Sequence, residues 1–303
     1  MTSHSQFMPG FDVCKTMVNG VGINYAMAGT GPGLLLLHGH PQTHVVWRKV
    51  AGDLVDAGFC VVAADLRGYG DSDKPPSDPR HATYSKREMA RDQIELMAAL
   101  GFDTFCVVGH DRGGRVAHRL ALEYPDAIEK VIVVDIAPTA TMYALTDKEF
   151  ATRYFWWFFL IQPADFPERM IGRDPEYFLR RHIAGQVKTK GAVSEEIFLE
   201  YLRCYQDPDT IRAICEDYRA AASIDLEHDA ADAHVKLKMP LLALWGAKGV
   251  VGELYDVLQT WRDKAECVQG AALNCGHAVQ EEVPKVFTKQ VLAFLKAGSR
   301  SAP

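Results

Sequence analysis

One short turn carries the residue types that covalent catalysis needs. The stretch GHDRG, residues 109–113, follows a valine-rich run and leads directly into a helical pattern. This matches the strand–turn–helix arrangement G-x-nucleophile-x-G, with Asp111 as the nucleophile. A carboxylate at the start of a helix feels the positive end of the helix dipole and stays ionised at neutral pH. The alternative is an ordinary helix N-cap, a position that also favours aspartate.

A histidine and a second acid occupy positions from which they could assist Asp111. His277 lies in the late stretch NCGH, where this chain order places the general base. Asp135 ends the apolar run VIVVD, and we assign it to orient Nδ1 of His277. The loop 247–252 after the next predicted strand holds no acid, and Glu253 is the weaker candidate. A strand-end aspartate that only caps a loop is the alternative for Asp135.

Backbone donors complete the predicted site. The stretch HGHP, residues 38–41, follows the first apolar run. A backbone N–H from this loop and another from the residue after the nucleophile commonly form an oxyanion hole. The predicted donors are therefore the N–H groups of His40 and Arg112.

The aspartate itself predicts the type of reaction. A serine alkylated at saturated carbon becomes an ether, which water at neutral pH does not cleave. An alkylated aspartate becomes an ester, which water activated by a histidine hydrolyses. Asp111 therefore indicates SN2 attack on an alkyl halide or an epoxide, and argues against acyl ester hydrolysis. Neither reaction needs a metal or a cofactor, and the sequence suggests no metal site.

The elements that must position these residues form an α/β pattern. Near-continuous apolar runs such as GLLLL, CVVAA, CVVG and VIVV alternate with helical patterns, which predicts a mostly parallel sheet flanked by helices. Between Pro138 and about Ala233 aromatic and charged residues recur at helical spacing without any strand pattern. We predict a core domain of residues 1–138 and 234–303 and an inserted helical cap domain of residues 139–233, with a frayed tail at 298–303.

Composition limits the partners and the compartment. The 303 residues carry a formal net charge of −6, which gives no indication of nucleic-acid binding. An anionic substrate would need local arginines. No export signal is visible, and the most apolar run, residues 154–161, is too short to span a membrane. Seven scattered cysteines suggest reduced thiols in a cytoplasmic protein.

Several motifs together resemble a known family. GHDRGGR, DIAPT and NCGHA, with the cap segments YFWWFFL and CEDYRA, are similar to the haloacetate (fluoroacetate) dehalogenases of the α/β-hydrolase superfamily. The resemblance implies an α/β-hydrolase fold and cofactor-free conversion of a small anionic haloacid, such as haloacetate, to glycolate and halide. It implies that Arg112 and Arg115 bind the substrate carboxylate, and residues three apart do share a helix face. Dimers are common among such proteins, so the resemblance allows a homodimer, while the sequence alone does not fix the oligomeric state.

The resemblance also implies a halide pocket, in which this chain departs from the family pattern. Trp157 and Tyr218 match its tryptophan and tyrosine, but Trp156 stands where relatives have a histidine. An indole offers one N–H donor and no cationic form. Since fluoride is the poorest leaving group of the series, we expect chloroacetate and bromoacetate to be better substrates than fluoroacetate. Simple packing in the cap is the alternative role for Trp156.

Two other functions are weighed against dehalogenation. An epoxide hydrolase would use the same aspartate with tyrosine hydroxyls of the cap as acid donors, and the candidates are Tyr143, Tyr154, Tyr201, Tyr205 and Tyr218. A neutral epoxide, however, gives Arg112 and Arg115 no carboxylate to bind. A non-catalytic receptor of the same fold usually lacks one member of the nucleophile, base and acid set, whereas this sequence has candidates for all three.

Overall fold

A single sheet organises the chain in a computed structural model, which describes residues 3–297. The predicted tail at 298–303 lies outside the described residues. The strands of this part of the chain are β1 (Ser3–His4), β2 (Asp12–Val18), β3 (Val21–Ala28), β4 (Gly33–Leu37), β5 (Cys60–Ala64), β6 (Phe105–His110), β7 (Ile128–Val134), β8 (Leu241–Gly246) and β9 (Val268–Leu273). Their order in the sheet is β1-β2-β3-β5-β4-β6-β7-β8-β9.

The sheet is antiparallel at one edge and parallel elsewhere. Strands β1, β2, β3 and β5 pair antiparallel, and a tight turn at Asn19-Gly20 joins β2 to β3. From β5 onward every neighbouring pair is parallel. The carboxyl ends of β4, β6, β7, β8 and β9 therefore lie along one edge of the sheet. The predicted α/β class with a mostly parallel sheet is confirmed.

Helices cover both faces of the sheet. Those within the sheet region are α1 (Ala51–Asp56), α2 (Lys86–Ala99), α3 (Arg112–Glu123), α12 (Val250–Leu254), α13 (Val257–Arg262), α14 (Val279–Glu282) and α15 (Pro284–Lys296), with short 3₁₀ turns at His44–Trp47 and Ala82–Tyr84. Successive side chains of β4 enter opposite layers, since Leu35 and Leu37 join one buried apolar cluster and Leu34 and Leu36 the other. This two-sided burial explains why the central strands are apolar throughout.

The chain between β7 and β8 is helical. It comprises α4 (Thr139–Ala144), α5 (Lys148–Arg153), α6 (Phe155–Phe159), α7 (Phe166–Arg173), α8 (Pro175–Gln186), α9 (Glu195–Tyr205), α10 (Pro208–Ala221) and α11 (Ile224–Ala231). These helices fall within the segment that the sequence assigns to a cap. The division into two domains at residues 138 and 234 stays a prediction.

Candidate active site

Asp111 lies at a sharp turn between β6 and α3. Its backbone has φ 46° and ψ −114°, a conformation that a non-glycine residue adopts only at some cost. The neighbouring glycines allow the close approach: a Cβ at Gly113 would lie 2.3 Å from the carbonyl oxygen of Leu37, and one at Gly109 2.3 Å from that of Gly113. The turn thus fixes the carboxylate at the carboxyl end of the central strands.

His277 and Asp135 form a hydrogen-bonded pair at the same edge of the sheet. Nδ1 of His277 lies 2.6 Å from Oδ2 of Asp135, whose other oxygen accepts the backbone N–H of Gly246 at 2.8 Å. Nε2 of His277 is buried and has no partner among the described residues. Burial opposes the imidazolium, but the bond to Asp135 and the charge of Asp111 raise the pKa of His277 above its ordinary value. This arrangement leaves Nε2 available to a water molecule.

The alternative acid, Glu253, lies elsewhere. It forms an ion pair with Arg153 at the protein surface. The structure therefore brings Asp135, and not Glu253, to the histidine.

The loop after β4 supplies one backbone donor to Asp111. The N–H of His40 donates to Oδ2 of Asp111 at 3.0 Å. Arg112 is the first residue of α3, a position whose backbone N–H finds no acceptor within the helix. Both groups predicted for the oxyanion hole thus lie next to the carboxylate.

Arg112 is fully buried and held by a carboxylate from α10. Its Nε and Nη2 each donate to Asp217, both at 2.8 Å, and its Cζ lies 4.1 Å from the ring centre of Tyr218. Lys86 also pairs with Asp217. The remaining nitrogen, Nη1 of Arg112, is buried without a partner among the described residues. Asp217 therefore fixes the guanidinium while leaving one donor nitrogen unused.

Arg115 is held in a similar way one turn further along α3. Its Nη1 donates to Oγ1 of Thr139 at 2.8 Å and to the carbonyl of Ala137 at 3.1 Å, and its Cζ lies 4.7 Å from the ring centre of Trp157. Nε of Arg115 is buried without a partner in the described chain. Two buried cations on α3 are therefore fixed by the protein, and both act electrostatically on Asp111.

These cations determine the charge state of the nucleophile. Burial by itself raises the pKa of the Asp111 carboxyl, but His277, Arg112 and Arg115 together lower it to about 2. Asp111 is consequently an anion at neutral pH. The positive charges also offset the repulsion that an anionic substrate would meet at this carboxylate.

The two adjacent tryptophans of α6 face different surroundings. Trp157 packs near Arg115 and Tyr218, with 6.4 Å between the centres of the two aromatic rings, and its Nε1 is buried without a partner among the described residues. Trp156 instead contacts Tyr154 and His182, each at 4.6 Å between ring centres. Trp157 and Tyr218 thus lie beside the arginines, and Trp156 lies apart from them.

Sequence reasoning missed several residues of the site. Asp217 lies within the quoted motif CEDYRA, and the need of two neighbouring arginines for a counter-ion could have indicated it. His110 stacks against His277 with 4.6 Å between ring centres, and its Nε2 donates to the carbonyl of His277 at 2.9 Å. His182 is buried and packs 4.6 Å from the ring of His40, with no partner for either ring nitrogen in the described chain. No sequence signal pointed to His182.

The described residues, 3–297, offer neither a metal cluster nor a membrane-spanning helix. No cluster of three or more His, Cys, Asp or Glu side chains there has a metal-binding arrangement. Within the same range, no helix combines the length and apolarity that crossing a membrane requires.

Comparisons with known proteins identify the family of the chain. A family model described as the alpha/beta hydrolase fold matches residues 32–284. A fluoroacetate dehalogenase from Burkholderia sp. is 41% identical over 94% of this chain and 94% of its own length. A soluble epoxide hydrolase from Corynebacterium sp. (strain C12) is 36% identical over 92% of this chain and 96% of its own length.

A solved structure is similar over nearly the whole fold. It is a crystal structure from Salmonella enterica with a provisional acyltransferase assignment, 59% identical to this chain, with a TM-score of 0.96 and coverage of 97% of this chain and 98% of that one. The family model, the dehalogenase relative and this structure each match most of the length of the chain. The chain is thus a hydrolase that belongs to the haloacetate dehalogenase family of the α/β-hydrolase superfamily.

Proposed function

We propose that this protein hydrolyses the carbon–halogen bond of short 2-haloacids such as chloroacetate and bromoacetate. One observation carries the proposal: Arg112 and Arg115, whose charges both lower the pKa of Asp111, each keep a buried nitrogen without a partner in the described chain. Buried donors without partners are costly, and a substrate carboxylate would satisfy them. A neutral substrate would leave them unsatisfied.

The first step is a displacement at saturated carbon. The substrate carboxylate binds to Arg112 and Arg115, and an oxygen of Asp111 attacks the carbon that bears the halogen. A carbon–oxygen bond forms, and the carbon–halogen bond breaks with its electron pair on the departing halide. Nε1 of Trp157 and the hydroxyl of Tyr218 are the donors proposed to stabilise this anion.

The second step hydrolyses the ester. His277 takes a proton from water, and the resulting hydroxide attacks the carbonyl carbon of the Asp111 ester. The N–H groups of His40 and Arg112 stabilise the oxyanion of the tetrahedral intermediate. Collapse of this intermediate breaks the bond between the carbonyl carbon and the substrate oxygen, and the departing alkoxide takes the proton from His277 and leaves as glycolate. The Asp111 carboxyl group keeps one oxygen from water and becomes a carboxylate again when it passes its proton to the neutral His277. Asp135 holds His277 in the orientation that this step needs.

Halide release tests the reaction class. Purified protein is incubated with chloroacetate, bromoacetate and fluoroacetate, and free halide is measured against glycolate. One turnover of excess enzyme in heavy-oxygen water should place the label in the Asp111 peptide and leave glycolate unlabelled. Labelled glycolate from the first turnover would reject the covalent ester and indicate direct attack by water.

Epoxide hydrolysis is the second candidate. Tyr218 and Tyr154 are buried near Asp111, and the pKa of each is raised well above 10, first by burial and also by the negative charge of Asp111. Protonated phenols at this place could donate to an opening epoxide oxygen, and one relative is an epoxide hydrolase. Diol formation from styrene oxide without halide release from chloroacetate would favour this candidate.

Two of the other three cap tyrosines are engaged through their hydroxyls. The hydroxyl oxygen of Tyr205 lies 3.0 Å from Nε2 of His40. The hydroxyl of Tyr201 donates to Glu281 at 3.4 Å. Tyr143 packs on Trp157, with 5.0 Å between ring centres. The hydroxyl of Tyr143 is buried without a partner among the described residues, so epoxide chemistry would depend on Tyr143, Tyr154 and Tyr218.

A further inference from the structure

Two cavities meet at one side chain of the cap. The inner cavity, about 60 Å³, is lined by His277, Tyr154, Trp156 and Gly185 among others, so that it reaches the general base. The outer groove, about 560 Å³, is lined by Trp156, Gly185 and apolar side chains that include Phe159, Met170 and Phe178. A small inner space thus adjoins a much larger apolar one.

Three residues, Arg153, Trp156 and Gly185, line both cavities. Of these, only Trp156 has a buried side chain that can separate the two spaces, and we call this boundary the wall. Arg153 is drawn to the surface by ion pairs with Glu149 and Glu253. Gly185 has no side chain, and a Cβ built there meets no atom within 4 Å. The remaining shared residue is Trp156, whose indole is 6% exposed. The indole is therefore the side chain that closes the inner cavity toward the groove.

The wall is also supported from the side of the active site. The ring of His182 packs edge-on against Trp156, with 4.6 Å between ring centres. Its centre also lies 4.6 Å from that of the His40 ring, and the backbone N–H of His40 donates to Asp111. His182 lines the outer groove but not the inner cavity. Trp156 is thus held by the rings of His182 and Tyr154, and it lines both cavities together with Gly185.

We infer that Trp156 determines the size of the substrate: its indole restricts the enzyme to acids with little or no substituent at C2 and keeps longer alkyl chains out of the apolar groove. This inference rests on the proposed function, because it concerns the same substrate class. With the indole removed, a chain that extends from C2 would enter the groove and bury its methylene groups against Phe159, Met170 and Phe178. Each buried methylene would then raise kcat/KM by about fourfold.

The test compares 2-bromohexanoate with bromoacetate in three variants, with bromide release as the readout. We define the ratio as kcat/KM for 2-bromohexanoate divided by kcat/KM for bromoacetate. Trp156→Ala should increase this ratio by about tenfold or more over wild type. Trp156→Leu, which removes less of the indole, should increase the ratio to a smaller extent and serves if the alanine variant does not fold. Phe159→Ala is the matched control, since it enlarges the groove without opening the wall and should leave the ratio unchanged.

A second-site change sharpens the test. Because a Cβ at Gly185 is free of contacts, Gly185→Leu can place a new side chain in the wall. Adding it to Trp156→Ala should return the ratio toward that of wild type.

The outcomes separate this inference from the proposed function. If wild type releases no bromide from bromoacetate, the proposed function fails and this inference with it. If wild type is active and both folded Trp156 variants keep the wild-type ratio, or Phe159→Ala changes it equally, the function stands and the assignment of Trp156 is wrong. Folding is monitored by thermal unfolding of each variant.

Discussion

Replacing Arg115 with leucine tests whether the arginines beside Asp111 bind the substrate carboxylate. The side chain is nearly fully buried, and Thr139 and Ala137 fix its guanidinium before any substrate arrives. Only its Nε lacks a partner in the described chain. A pre-positioned donor of this kind contributes its binding energy without paying for ordering of the side chain.

The magnitude follows from the contacts that remain. A hydrogen bond to a charged group contributes about 1.5–3 kcal/mol, and Arg112 stays in place in this variant. We therefore expect a loss of about 2–3 kcal/mol in binding, which corresponds to roughly 30- to 150-fold in kcat/KM. The loss should appear mainly in KM, since the ion pair is made equally in the ground state and the transition state. Asp111 stays ionised because Arg112 and His277 still lower its pKa.

The assay is steady-state halide release from bromoacetate, with thermal unfolding as a check on the fold. Arg119→Leu is the matched control, because Arg119 lies one turn further along α3 and pairs with Asp229 and Asp232 away from Asp111. It should leave KM within about threefold of wild type. A folded Arg115→Leu enzyme with an unchanged KM would refute the carboxylate role. An equal rise of KM in both variants would point to a general charge effect.

Three further predictions concern the base, the pH dependence and the fold. His277→Asn should trap the alkyl ester, seen as a mass increase on the peptide that contains Asp111 after incubation with bromoacetate, whereas an unmodified peptide would contradict the scheme. Ester hydrolysis needs a neutral His277, so it should slow as the pH falls through the pKa that His277 has in the ester, where Asp135 still raises it but the charge of Asp111 no longer does. Alkylation by Asp111, with its pKa of about 2, continues, and rapid-quench mass spectrometry at pH 5 should then show accumulated ester in wild type. Gly172→Ala in α7 should stabilise the fold by about 0.5–1 kcal/mol in denaturant unfolding, because a Cβ there meets no atom within 4 Å.

The pattern of apolar residues was sufficient to predict the sheet and the edge of the sheet at which the site lies. Runs of consecutive valines and leucines that alternate with helical patterns indicate strands buried on both faces, as in a parallel sheet between helix layers. Residues that follow such runs must meet at one edge, and this predicts Asp111 and Asp135 as neighbours. The β2–β3 hairpin was also within reach, since Asn19-Gly20 is a strong turn signal.

Long-range pairings in the helical segment between β7 and β8 could not be predicted from the sequence. The bond between Arg112 and Asp217 joins residues 105 positions apart, and no spacing rule predicts which helix of this segment returns to α3. Trp156 and Trp157 are adjacent, so both fit a pattern of aromatic residues equally well. Neighbours on a helix point about 100° apart, and only the packing of α6 decides which ring faces the arginines.

The charge of the nucleophile links the two proposed steps. Before the reaction, the negative charge of Asp111 is one of the causes that raise the pKa of His277. Conversion of that carboxylate to a neutral ester removes this cause, so that the pKa of His277 falls at the moment when a neutral base is needed. Asp135 still holds the ring in place, and hydrolysis restores the charge on Asp111 together with the proton on His277. A neutral serine at the same turn would provide no such coupling, which gives the aspartate a second use beyond forming a cleavable ester.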